Sequence, residues 1–238
     1  MRLPRLFVPG QAQLVQVRFV SALAQHWLDD QSKQLLDAVA AWLGEYTKAH
    51  QLALHAWSLS PTQLLLLVTP PDKSALAGVI QAIGRRLAPE LKTGSVFEGR
   101  YKSAPVEPQW VLPAQIWVES APVEQGYAAQ AQAWPWSSAA GHAGIVESDR
   151  PWLVTVSDHE QYWRCGNTPF DRQANYRVKL AEGISLADRQ RIDHAVGGQW
   201  ALGSEQYLEQ IAKVANRRVA PGRRGRPRKF DPEDQKVD

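Results

Sequence analysis

One cysteine, Cys165, in 238 residues excludes an intramolecular disulfide framework and fits a reducing compartment, with a lone buried thiol as its expected state. No apolar run is long enough to span a bilayer, so no membrane partner is expected. The N-terminus has no apolar stretch of signal-peptide length, and a cytoplasmic, nucleoid-associated protein is expected. The six histidines are His26, His50, His55, His142, His159 and His194. No two lie at i, i+2 or i, i+4, which removes the simplest ways to aim two imidazoles at one metal ion from a strand or helix face. His55 reads as a strand histidine bonded to a backbone carbonyl or solvent in preference to a metal ligand. Asp29, Asp30 and Glu119 are single carboxylates without a visible partner, read as cap and surface groups. No bias of charge extends over the body: 27 basic and 24 acidic residues give a net +3, and most of the excess sits in one place.

That place is the C-terminal stretch. Arg217, Arg218, Arg223, Arg224, Arg226, Arg228 and Lys229 fall between Asn216 and Phe230 with no acid among them, before the acidic end from Asp231 to Asp238. The natural partner of such a run is a polyanion. Arg224-Gly225-Arg226-Pro227 has the core of an AT-hook. Glycine removes the Cβ that would meet a groove wall, and proline biases Arg226 towards an extended backbone. An extended chain flanked by arginines fits the narrow minor groove of A·T-rich DNA. A solvated basic tail that touches any nucleic acid weakly is the alternative, and composition leaves it open. The ten tryptophans are expected as core or interface anchors, with any exposed ones suited to stacking on unpaired bases.

Along the chain, 13–20 alternates and is rich in β-branched residues, which predicts a strand. Residues 30–50 carry apolar side chains at helical spacing, capped by Asp30 or Ser32. Residues 52–59 predict a half-buried strand, and Leu64 to Val68 a central buried one. Residues 74–87 predict a second amphipathic helix ending at Arg85 and Arg86, which read as solvated helix-end cations. A strand is predicted across 96–106, a short helix over 114–120 stopped by Ala121-Pro122, and a capped helix start at Trp134-Pro135-Trp136-Ser137-Ser138. The order β-α-β-β-α-β is the ferredoxin-like split pattern: an α+β fold with an antiparallel sheet and helices on one face. Residues beyond Ser157 are polar and helical, clearest at 185–196 and 204–216. The expected organisation is a domain over 1–145, a helical appendage over 146–216 and a flexible basic tail over 217–238.

Several motifs taken in order resemble the REP-associated tyrosine transposases, relatives of the bacterial single-tyrosine insertion-sequence transposases in the HUH endonuclease class. They are Arg2-Leu3-Pro4-Arg5 with Val8-Pro9-Gly10, Leu59-Ser60-Pro61, Gly99-Arg100-Tyr101-Lys102-Ser103, Val118-Glu119 with Pro122-Val123, Trp134 to Ser138 ending at His142, Gly203-Ser204-Glu205-Gln206-Tyr207, and Gly225-Arg226-Pro227-Arg228-Lys229. Together they span nearly the whole chain. The resemblance implies a ferredoxin-like catalytic domain, dimeric or with a docking tail, that binds hairpins of palindromic repeats. It also implies a His-x-His pair that holds Mg or Mn against the scissile phosphate, and a tyrosine on the following helix that attacks it.

At the positions that matter, this chain departs from that pattern. Gln63 and Leu65 stand where the two histidines would, Trp117 where the tyrosine would, and Ala121 where an Asn would complete the metal site. Glu124 replaces a basic residue, and Gln13-Leu14 replaces the first strand's histidines. A leucine cannot ligate a metal, one glutamine is far from a Mg²⁺ site, and an indole cannot form a phosphodiester link. The expectation is therefore a DNA-binding pseudoenzyme with no cofactor. Arg100, Lys102 and the tail cations would hold a hairpin, a single strand or an A·T-rich duplex. The alternatives are a protein–protein scaffold on a retired transposase fold, or a transposase with a relocated site.

Overall fold

Two periodicities build the sheet and its first cover. The structure is a computed structural model, and it describes residues 4–20, 30–92, 95–145, 150, 152–215 and 217–222. The first six elements are β1 (Gln13–Arg18), α1 (Asp30–Ala49), β2 (Ala53–Leu59), β3 (Gln63–Thr69), α2 (Ala75–Leu91) and β4 (Lys102–Pro105). All pairings are antiparallel, in the order β2-β3-β1-β4. The predicted α+β class and split β-α-β connectivity are what the chain adopts. The strand expected across 96–106 pairs only over β4; Phe97 makes an isolated bridge to Phe19, and Gly99 at φ 140° breaks the extended run where only glycine sits comfortably.

Strand alternation sends two different apolar sets to the two faces. Val15, Val17, Leu64, Leu66 and Val68 pack with Val39 and Leu43 of α1 and with Val79 and Ile83 of α2. Both crossover helices therefore share one face, as the split pattern requires. The opposite face presents Leu14, Leu65, Leu67 and Ala104, and it too is covered. Its cover is α3 (Pro108–Glu124) together with α7 (Leu186–Gly198), which contribute Trp110, Val111, Ala114, Trp117 and Val118, and Ile192, Ala195 and Val196. Each fully buried Leu, Ile or Val on this face contributes roughly 1.5–3 kcal/mol, so the second face also adds to stability.

The short helix expected over 114–120 is this longer α3, which contains Pro113 and Pro122 and continues past the predicted stop. An internal proline costs a backbone hydrogen bond. Here the cost is offset by burial on nearly every side: Ala114 to Pro122 is buried without a break. The chain also recovers bonds after Pro122, whose carbonyl accepts from Tyr127 N–H at 2.8 Å.

The remaining helices are α4 (Ala139–His142), α5 (Glu160–Trp163), α6 (Pro169–Glu182) and α8 (Glu205–Val214). Ser185 and Ser204 cap α7 and α8, accepting from Asp188 and Tyr207 N–H, as their positions predict. Between α4 and α5, residues 152–157 run along α1 and β2. Trp152 meets Trp57 edge-on at 5.4 Å, and the indole N–H groups of Trp136 and Trp152 both donate to Asp37 Oδ1 at 2.8 Å. After α8, Val219 packs with Leu6, Val8, Tyr207 and Ile211. No helix among the described residues is long and apolar enough to cross a membrane.

Candidate nucleic-acid interface

The degenerate positions come together, and where they meet is dry. Leu65 lies at the middle of β3, 1% exposed, on the face that carries Leu14, Ala56, Leu67 and Ala104. Trp117 and Ala121 of α3, each 7% exposed, belong to the same packed cluster. The indole occupies space on this face, and its Nε1–H donates to Asp193 Oδ1 of α7 at 3.0 Å. Helix α7 thus lies over the region where the family resemblance would put a metal and an attacking hydroxyl. Among the described residues, no group of three or more His, Cys, Asp or Glu is placed to hold a metal ion.

Gln63, two residues before Leu65 and on the same face, is only half-buried. It accepts a hydrogen bond from Gln16 Nε2 at 2.8 Å. Here the apolar cover stops and the sheet turns polar. Arg18 stands opposite Gln63 and Gln16 opposite Lys102 in the strand registers. A groove of about 230 Å³ opens there, lined by Gln16, Arg18, Glu98, Gly99, Arg100 and Lys102. Three cations against one carboxylate make it electropositive. Arg100 and Lys102 were legible as candidates from the sequence. Arg18 was not, although it lies within the predicted strand 13–20, two residues past Gln16 and on the same face. Gln125 at the end of α3 accepts from Ser60 and Thr62 hydroxyls at 2.9 and 3.0 Å, which fixes the β2–β3 turn beside this edge.

Glu119 is not the surface carboxylate its isolation predicts: it is fully buried. Its Oε1 accepts from Ser138 Oγ and from His142 Nδ1, both at 2.5 Å, and its Oε2 accepts from Tyr176 OH at 2.6 Å. Tyr162 OH donates to the His142 carbonyl at 2.8 Å. Burial alone would depress the His142 imidazole, but the Glu119 carboxylate outweighs it and holds its pKa above the ordinary value. This network ties α3, α4, α5 and α6 together, and its Glu119, Ser138, His142, Tyr162 and Tyr176 are all buried. Ser138, at the end of the helix start expected over Trp134 to Ser138, is the N-cap of α4 but makes no side-chain cap bond; its hydroxyl accepts from Trp57 N–H at 2.9 Å and donates to Glu119. The signal for Glu119 was its place in the middle of an apolar helix, where a lone acid demands partners.

The other singled-out residues have structural partners. His55 Nδ1 meets the Ser157 carbonyl at 2.7 Å and Nε2 meets Thr69 Oγ1 at 2.8 Å, the backbone-bonded state expected of it. Burial drives its pKa down to about 4. The Cys165 thiol is buried and its pKa raised by that burial. Tyr101 is 8% exposed beneath the Arg5 guanidinium, 3.5 Å from its ring centroid. Arg86 pairs with Glu45 at 2.7 Å. Of the basic stretch, Arg218 is exposed. Arg217 lies 5.4 Å from the Trp200 ring and donates to the Gln199 carbonyl. Arg223, Arg224, Arg226, Arg228 and Lys229, with the AT-hook core, lie outside the described residues, as do His26 and Asp29.

No family model matches the chain, and no curated protein matches it. Among solved structures, the fold is similar to a REP-associated tyrosine transposase solved bound to a REP hairpin. The TM-score is 0.49 at 14% identity, covering 68% of this chain and 96% of that one. It is also similar to a Deinococcus radiodurans R1 protein assigned as a transposase, with a TM-score of 0.33 at 18% identity, covering 53% of this chain and 95% of that one. Both likenesses are at low identity and concern the fold; neither assigns an activity to this chain.

Proposed function

We propose that this chain binds DNA without cutting it. The observation that carries the reading is the contrast along one sheet face. Leu65, Trp117 and Ala121 are packed shut under α7, while the adjoining edge stays open with Arg18, Arg100 and Lys102 around one groove. Phosphate backbones are held by such cations through charge and counterion release, whatever the sequence. Cleavage needs a ligated cation and a nucleophile, and the side chains at the corresponding positions supply neither. The sequence motifs that resemble the REP-associated transposases favour a hairpin or a single strand as the DNA form. The basic stretch from Arg223 to Lys229 would add a grip on neighbouring A·T-rich duplex.

Mobility shifts with a labelled DNA hairpin test this. Replacing Arg18, Arg100 and Lys102 together by Ala should weaken binding roughly tenfold or more and reduce its salt dependence. Unchanged binding by that variant would remove the groove from the interface. A protein–protein role draws on Trp163 and Phe170, 52% and 83% exposed, at the end of α5 and the start of α6. Failure of the wild-type chain to shift hairpin, single-strand and A·T-rich duplex probes alike would favour it.

A further inference from the structure

We propose a second ligand site, on the opposite side of the β4 edge from the groove, for an organic phosphate the size of a nucleoside monophosphate. A cavity of about 350 Å³ lies between the N-terminal segment, the start of α2 and β4. Its floor holds two polar groups with nothing to bond. Gln13 is 2% exposed and Ser103 1% exposed, and among the described residues neither Gln13 Nε2 nor Ser103 Oγ has a hydrogen-bond partner. Both residues line the cavity. Buried donors are almost always matched, and two of them facing one space point to a ligand that brings acceptors. They come from neighbouring strands two register steps apart, Gln13 opposite Pro105 and Val15 opposite Ser103. Donors on two neighbouring strands suit the edge of a flat ring with more than one acceptor.

The remaining lining divides into flat apolar wall and cation. Phe7 and Leu76 line the space, and the Arg5 guanidinium stacks on the Tyr101 ring, a planar charged surface suited to a ring above it. Lys73 and Arg100 stand at the exposed rim. The one carboxylate in the lining, Asp72, is engaged just before α2, accepting from Ser74 N–H, Ser74 Oγ and Ala75 N–H at 2.6, 2.6 and 3.0 Å. The start of this helix adds its positive dipole end. The space is larger than an inorganic oxyanion needs and within the range of small-molecule sites. Ring-edge donors, flat walls and rim cations together describe a nucleoside phosphate. It is either a free nucleotide or a nucleotide of a strand that leaves the groove around the β4 edge, where Arg100 lines both spaces.

Thermal shift on the full chain decides it, with dAMP, dGMP, dCMP and dTMP as probes and deoxyadenosine and inorganic phosphate as half-ligands. At least one nucleotide at millimolar concentration should raise Tm by several degrees, and each half-ligand by less. Gln13→Leu replaces a buried unpaired amide by an apolar group of similar size, so it should fold and abolish the shift. Ser103→Ala is the second variant with the same expected loss, and Lys73→Gln should weaken the apparent affinity at least fivefold. No shift with any nucleotide, a shift that survives both floor variants, or a full shift with inorganic phosphate alone would overturn the proposal. Displacement of the bound nucleotide by hairpin DNA would assign the site to a strand, and its retention to a free nucleotide. A groove variant limited to Arg18→Ala and Lys102→Ala, neither of which lines this cavity, leaves this readout untouched, so failure of the site and failure of the DNA-binding reading are separable.

Discussion

A leucine where a ligand would stand does more than remove a bond to metal. Leu65 fills the sheet face with Leu67 and Trp117, so its truncation leaves a void as well as lost contacts. Leu65→Ala should cost about 2–5 kcal/mol, read as a fall in the denaturant midpoint at unchanged slope. A loss below about 1 kcal/mol would mean the face is looser than described. His55 makes a separate prediction. Burial holds its folded pKa at about 4 against an ordinary 6.5, so the unfolded chain takes up this proton first. The stability it contributes is fully present above about pH 6.5 and is lost as pH falls towards 4. The full loss is about 3 kcal/mol. Urea melts at pH 7 and pH 4 should show that fall in the wild type and a smaller one in His55→Gln. Equal falls in both would place the acid sensitivity elsewhere.

α1 is legible from its apolar stripe and β3 from the continuous apolar run of a central strand, and the capping serines of α7 and α8 mark those starts. β2 is legible as a strand, but its alternation suggests a half-buried one where the chain buries it on both faces. α3 was misjudged because Pro122 signals a stop and because a helix buried on all sides has no stripe to read. Glu119 is hard to read for the same reason: its partners Ser138, His142 and Tyr176 come from two later segments, α4 with its N-cap and α6. Nor does a sequence period say which surface a helix lands on, and that hid the role of α7. Its Ile192, Ala195 and Val196 complete the core beneath α3, so residues 1–145 alone should not form a stable domain. A chain ending at residue 145 should aggregate or lack a cooperative thermal transition, measured by calorimetry. A sharp transition near that of the full chain would make the C-terminal helices a true appendage.

For the molecule as a whole, charge and chemistry separate. Local excesses of positive charge lie in the groove beside Gln63 and in the stretch from Arg217 to Lys229, while the centre of the second sheet face is apolar. Removing residues 223–238 should weaken hairpin binding and reduce the slope of log affinity against log salt by up to about 4. An unchanged slope would leave the groove as the whole grip. The central claim is recognition without strand cleavage, and incubation of the full chain with a labelled hairpin and Mn²⁺, followed by denaturing electrophoresis, tests it directly. The account predicts intact DNA and no covalent adduct at protein concentrations that bind all of the probe. A protein-linked DNA band that disappears on changing a single tyrosine to Phe would contradict it.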